Sequence, residues 1–146
     1  MIAYFDASAL VKRHVDERGS RETMEFAARA EVVAASLVSR AEVAAALAKA
    51  VRANLLKQHE GRAAQRAFAA QWPDIARIPV TDMLVSRAET LAWEYGLRGC
   101  DAVQLASAVV FQESLGTAVR LATFDRQLWS AARGAGFEPW PEKAPQ

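Results

Sequence analysis

At 146 residues and a formal net charge of +1, the chain is long enough for one domain with its own core. It carries no overall basic surplus, so nucleic-acid contact would have to rest on local charge. The single cysteine, Cys100, excludes an intramolecular disulfide framework and a cysteine-rich zinc site. No stretch approaches the roughly 20 apolar residues of a membrane span, and the opening residues lack a secretory signal, so a soluble, cytoplasmic protein without membrane contact is expected.

Met1 to Phe5 is predicted to be a buried parallel strand that delivers Asp6 at its carboxyl end. Ala7 to Val15 follows as a helix with Leu10, Val11 and Val15 inward, which puts Asp6 in the strand-to-helix turn where open α/β sheets hold ligands. Gly19 and Ser20 read as a turn and N-cap for a helix over Arg21 to Ala30, and Val32 to Ala35 as a second short strand. Helices are predicted from about Ser36 to Leu56, with a broad apolar face from Leu37 to Val51, and from His59 to Gln71. After the Trp72-Pro73-Asp74 break, Ile75 to Val80 is edge-like, because Pro79 cannot donate to a central ladder.

Thr81 and Asp82 cap a helix to about Tyr95, with Leu84, Val85, Ala88, Leu91 and Ala92 inward and Gly96 as its stop. A glycine turn then leads through Asp101 into a helix from Ala102 to about Ser114. Val119 to Phe124 forms a strand that feeds Asp125 and a last helix to about Arg133, followed by a short edge at Phe137 to Trp140. Strands alternating with helices argue for a parallel α/β sandwich, with residues 1–140 as one domain and 141–146 as a flexible tail.

Asp6 and Asp125 each end a strand, and Asp101 opens a helix, so the three are candidates for one pocket. Each is equally a favoured N-cap. Glu42 is a fourth candidate, an acid on a mainly apolar helix face, although Ser39-Arg40-Ala41-Glu42 also fits a capping box. Carboxylates that converge repel one another unless a hard cation neutralises them, and an all-oxygen set favours Mg²⁺ or Mn²⁺ over zinc. Such an ion lowers the pKa of a bound water and stabilises charge that develops on a phosphodiester.

Phe5-Asp6-Ala7-Ser8-Ala9-Leu10-Val11-Lys12, Ser39-Arg40-Ala41-Glu42, Gly99 to Ala108 and Leu121-Ala122-Thr123-Phe124-Asp125 together resemble the successive motifs of the PIN-domain nucleases. Nearly the whole chain is covered, and more narrowly it resembles VapC, the toxin of VapBC toxin–antitoxin modules. The resemblance implies a three-layer α/β/α sandwich with a central, mainly parallel sheet of four to five short strands. It implies a Mg²⁺- or Mn²⁺-dependent endoribonuclease with catalytic and metal-binding acids at Asp6, Glu42, Asp101 and Asp125. Ser8 and Thr123 match hydroxyl positions that support the acids or their waters. The implied partners are an RNA substrate, a second copy of the chain and a VapB-like antitoxin, with DNA reached only through the antitoxin. Cys100 departs from the aromatic residue common in relatives; it is expected to behave as a small buried hydrophobe.

A strand of RNA held at an acidic centre needs a basic rim, for which Lys12, Arg13, Arg40, Arg98 and Arg126 are candidates; a solvated charged face is the competing account of each. Core or edge packing is expected for most of Trp72, Trp93, Trp129 and Trp140, and His14 and His59 have no catalytic partner in view. A dehalogenase-like phosphotransferase would need an acid where Ser8 stands. A PIN domain that only binds RNA or protein predicts the loss of one or more acids, and all four are present. RNA maturation or quality control is the alternative task for the same nuclease.

Overall fold

The computed structural model describes residues 1–146. Five short parallel strands, β1 (Ile2–Phe5), β2 (Val32–Ser36), β3 (Ala76–Ile78), β4 (Val119–Ala122) and β5 (Glu138–Trp140), form one sheet in the order β3-β2-β1-β4-β5. The strand ladders pair Ile2 with Val32 and Val119 and place β1 at the centre, as its apolar run requires.

Side chains alternate across the sheet and separate two cores. Tyr4, Ala34 and Leu121 pack on α5 (Asp82–Tyr95), α6 (Gly99–Leu115) and α7 (Arg126–Gly134). Ala3, Phe5 and Ala35 face α1 (Ala7–Lys12), α2 (Ser20–Arg29), α3 (Ser39–Arg52) and α4 (Gln58–Gln71) on the other side. The result is a three-layer α/β/α sandwich, with Phe26 stacked on Trp140 at 4.4 Å in the second core. No helix is long and apolar enough to cross a membrane.

Several boundaries differ from the sequence expectation for local reasons. The first helix stops at Lys12, and the chain passes through turns in which Ser20 Oγ donates to the Val15 carbonyl. Gly19, not Ser20, is the N-cap of α2; its φ of 88° and the Phe124 ring 3.1 Å from where a Cβ would stand leave room only for glycine. Ser36 belongs to β2, and Leu37 N donates to the Ile78 carbonyl before α3 begins. Only Ser39, Val43 and Leu47 of α3 are buried, so much of its alanine content faces solvent. Cys100 is exposed, contrary to expectation, because α6 turns its Asp101, Gln104 and Leu105 face inward. Trp72, Trp129 and Trp140 are buried, whereas Trp93 on α5 is 89% exposed. Past β5 the Pro141 carbonyl accepts a 2.7 Å bond from the Trp129 indole.

His14 lies edge-on to Phe68 of α4 with its Nε2 buried and unpartnered, and burial, reinforced by Arg13, pushes its pKa down to about 4. The folded chain therefore resists a proton that the unfolded chain accepts below about 6.5. Stability contributed by neutral His14 is present above that value and is lost as the pH falls towards 4. Replacing His14 with Phe removes this part of the acid sensitivity, which urea unfolding between pH 4 and 7 measures.

Candidate active site

The acids meet at the carboxyl end of the sheet, where β1 and β4 lie side by side and their following connections leave in opposite directions. That topological switch is where open α/β sheets form crevices. Asp6 follows β1 and Asp125 follows β4 by three residues; Glu42 comes from the first turn of α3 and Asp101 from the first turn of α6.

Asp6 is the buried anchor. Its Oδ1 accepts from Ser8 Oγ at 2.6 Å and from Ala9 N at 3.0 Å, and its Oδ2 accepts from Thr123 Oγ1 at 2.7 Å. Three of about four acceptor positions are thus filled, and one remains. The same hydroxyls fix the β4 turn: Ser8 Oγ accepts from Phe124 N at 2.8 Å and Thr123 Oγ1 from Asp125 N at 3.0 Å. Two hydroxyls therefore tie the carboxyl ends of neighbouring strands to one carboxylate. Burial pushes the Asp6 pKa up to about 6 against the lowering pull of these bonds, with a smaller push from Asp125.

Asp6 and Asp125 do cap helices, accepting from Ala9 N and Leu128 N. Capping does not account for the other two. Arg98 is the N-cap of α6, so Asp101 is a helical residue inside its first turn. Val38 is the N-cap of α3, and the predicted capping box does not form: Ser39 Oγ and Glu42 Oε1 instead accept from the same Gln104 amide, at 3.0 and 2.8 Å. Burial raises the pKa of Asp101, with Asp125 adding to it, and burial and then Asp101 raise that of Glu42. The four carboxylates therefore share one electrostatic neighbourhood, short of cation.

Arg98 partly answers that need. Its Nε donates to Asp101 Oδ2 at 3.1 Å and an Nη to Asp125 Oδ2 at 3.3 Å, although its side chain is 72% exposed. No three of the carboxylates close into a ligand sphere in this arrangement. The donors are hard oxygens that repel one another, a chemistry that fits Mg²⁺ or Mn²⁺.

The other expected rim cations divide. Arg40 and Arg126 are exposed, two residues before Glu42 and one after Asp125 along the chain. Lys12 is held by Glu17 at 3.0 Å and by the Arg18 carbonyl at 2.7 Å, above the Phe124 ring. Arg13 lies by the amino ends of β2 and β3, away from the acids. A groove of about 830 Å³ leads from Ser8, Glu42 and Arg98 between α1 and α3, over Val11, Val15, Leu47 and Leu56.

Sequence reasoning assigned no role to Gln104. The available signal was a lone amide in the apolar run Ala102 to Ala108, one helical turn beyond Asp101 and on its face.

A PIN domain family model matches residues 3–134. Two curated proteins of Mycobacterium tuberculosis, ribonuclease VapC45 (strain CDC 1551 / Oshkosh) and ribonuclease VapC49 (strain ATCC 25618 / H37Rv), are each 34% identical over 140 residues, 96% of this chain and 95% of theirs. Among solved structures, VapBC2 from Rickettsia felis bound to a promoter DNA fragment is similar at a TM-score of 0.65 and 14% identity, over 96% of this chain and 99% of that one. A toxin–antitoxin complex from Klebsiella pneumoniae is similar at a TM-score of 0.62 and 20% identity, over 88% and 90%. With the motifs in order, the fold and a near full-length match in agreement, this chain belongs to the PIN-domain family, and within it to the VapC proteins.

Proposed function

We propose that the chain is a divalent-metal-dependent endoribonuclease, the toxin of a type II toxin–antitoxin pair. The observation that carries this reading is the meeting of Asp6, Glu42, Asp101 and Asp125 at the switch point, with the pKa values of Asp6, Glu42 and Asp101 raised and one exposed guanidinium as counter-charge. Asp101, Glu42 and Asp125, with the remaining position on Asp6, would hold Mg²⁺ or Mn²⁺. Bound there, the ion supplies an activated water and charge stabilisation at the scissile phosphate.

The residues of the chain do the rest. Ser8 and Thr123 hold Asp6 in one orientation and lock the β4 turn that presents Asp125. Arg98, released from Asp101 and Asp125, is placed to meet a phosphate, and Arg40 and Arg126 extend the basic rim along the strand.

The apolar groove beside the acids suits a partner segment with an aliphatic face, and we assign it to a VapB-like antitoxin that blocks the site while seated. The likeness to two toxin–antitoxin complexes supports this partner, and DNA would be reached through it. Met83 and Trp93, exposed on α5, offer apolar surface to a second copy of the chain.

Purified protein is expected to cleave RNA with Mg²⁺ or Mn²⁺ and not with EDTA. Asp101→Asn abolishes cleavage with little change in thermal unfolding, whereas Asp6→Ala also loses a helix cap, at about 1 kcal/mol. Cleavage by either variant, or in EDTA, refutes the assignment. In metal-free protein the raised Asp6 pKa means that the folded state binds the extra proton between pH 3.8 and about 6. Its contribution to stability is thus present at low pH and is lost as the pH rises through that window, by on the order of 3 kcal/mol. The sign is opposite to that of His14. Asp6→Asn flattens this dependence, and saturating Mg²⁺ restores stability at neutral pH; denaturant titrations at several pH values measure both. For the groove, whose lining includes the exposed Leu55, Leu55→Asp is expected to abolish copurification with the antitoxin, read by affinity pull-down.

A further inference from the structure

Gln104 is 2% exposed in the middle of α6, and its amide is fully employed. Its Oε1 accepts from the Tyr4 hydroxyl on β1, and its Nε2 donates to Ser39 Oγ at 3.0 Å and Glu42 Oε1 at 2.8 Å, both on α3. The Tyr4 phenol is buried, and its O–H is the donor that the amide oxygen accepts. That donation sets the amide: turned over, the amide oxygen would face the Glu42 carboxylate, acceptor against acceptor. One side chain thus joins the central strand, the helix that carries Glu42 and the helix that carries Asp101.

Glu42 makes no other side-chain hydrogen bond, neither to a cation nor to the backbone of its own helix. An unbranched, half-buried carboxylate without a second constraint would sample several rotamers. We infer that Gln104 is a positioning residue that aims Glu42 at the other acids, with Tyr4 fixing the amide and Ser39 engaging its second hydrogen. The inference deepens the metal-dependent reading above and rests on it for its consequence, not for its geometry. Partners that orient metal-binding side chains in this way change affinity by about 10- to 100-fold when removed.

The test compares wild type, Gln104→Met, Glu42→Gln and the double variant. Mn²⁺ affinity is measured by titration calorimetry, and the Glu42 side-chain rotamer by scalar couplings in the metal-free protein. Gln104→Met is expected to weaken Mn²⁺ about tenfold and to average the Glu42 couplings, while the double variant binds no more weakly than Glu42→Gln alone. Unchanged Mn²⁺ affinity and a single Glu42 rotamer in Gln104→Met overturn the inference, as do fully additive losses, because a merely structural amide would lower stability in EDTA without acting through Glu42. Should Gln104→Met fail to fold, Ser39→Ala, which frees one amide hydrogen, must produce a smaller loss of the same sign; no loss overturns the inference. If wild type takes up no Mn²⁺ yet Gln104→Met disorders Glu42, the metal reading fails and the positioning stands.

Discussion

Holding carboxylates together in a half-buried crevice is the constraint to which the rest of this structure answers. Like charges brought out of water repel and take up protons, and the raised pKa values of Asp6, Glu42 and Asp101 record that cost. Three devices offset it. Ser8, Thr123 and Ala9 N surround Asp6 with donors, the Gln104 amide donates to Glu42, and Arg98 lends a positive charge to Asp101 and Asp125. Only the last is a full charge, and it sits on the most exposed of the supporting side chains, where solvent screening leaves an ion pair weak. The site is firmly built on its protein side and loosely closed on its solvent side.

The two layers of helices divide the remaining work. On one face of the sheet, α6 is buried nearly all round and carries Asp101 and Gln104 towards the acids from within the core, which makes them rigid. On the other face, α1 and α3 splay around the apolar groove, so the groove and the acidic crevice share Ser8, Glu42 and Arg98. A segment seated in that groove would meet the acids at its end.

Much of this was legible in the chain itself. The apolar run into Asp6 and the apolar run from Val119 towards Asp125 mark strands and the helix starts that follow them through short-range physics, although β4 ends at Ala122 rather than Phe124 and α6 already begins at Gly99, inside the segment read as a turn before Asp101. Alanine blurred the rest. In α3 the alanines fit a buried or an exposed face equally well, and only the packed structure shows that Val43 and Leu47 carry the burial. Cys100 was misjudged for a related reason: residue type suggests burial on average, but the rotation of α6 decides which side of its first turn meets water.

Sequence alone determined the parallel α/β class and the order of the elements, and named the four acids as candidates, because period, breakers and motif spacing are local properties of the chain. Tertiary structure decided what those acids touch. That Asp101 is no cap, that the Ser39 and Glu42 capping box gives way to Gln104, and that Arg98 stands between two aspartates all depend on residues 27 to 100 positions apart being pressed together. Such contacts follow from how helices pack on the sheet, a balance of burial and hydrogen bonding over the whole molecule that no window of sequence contains.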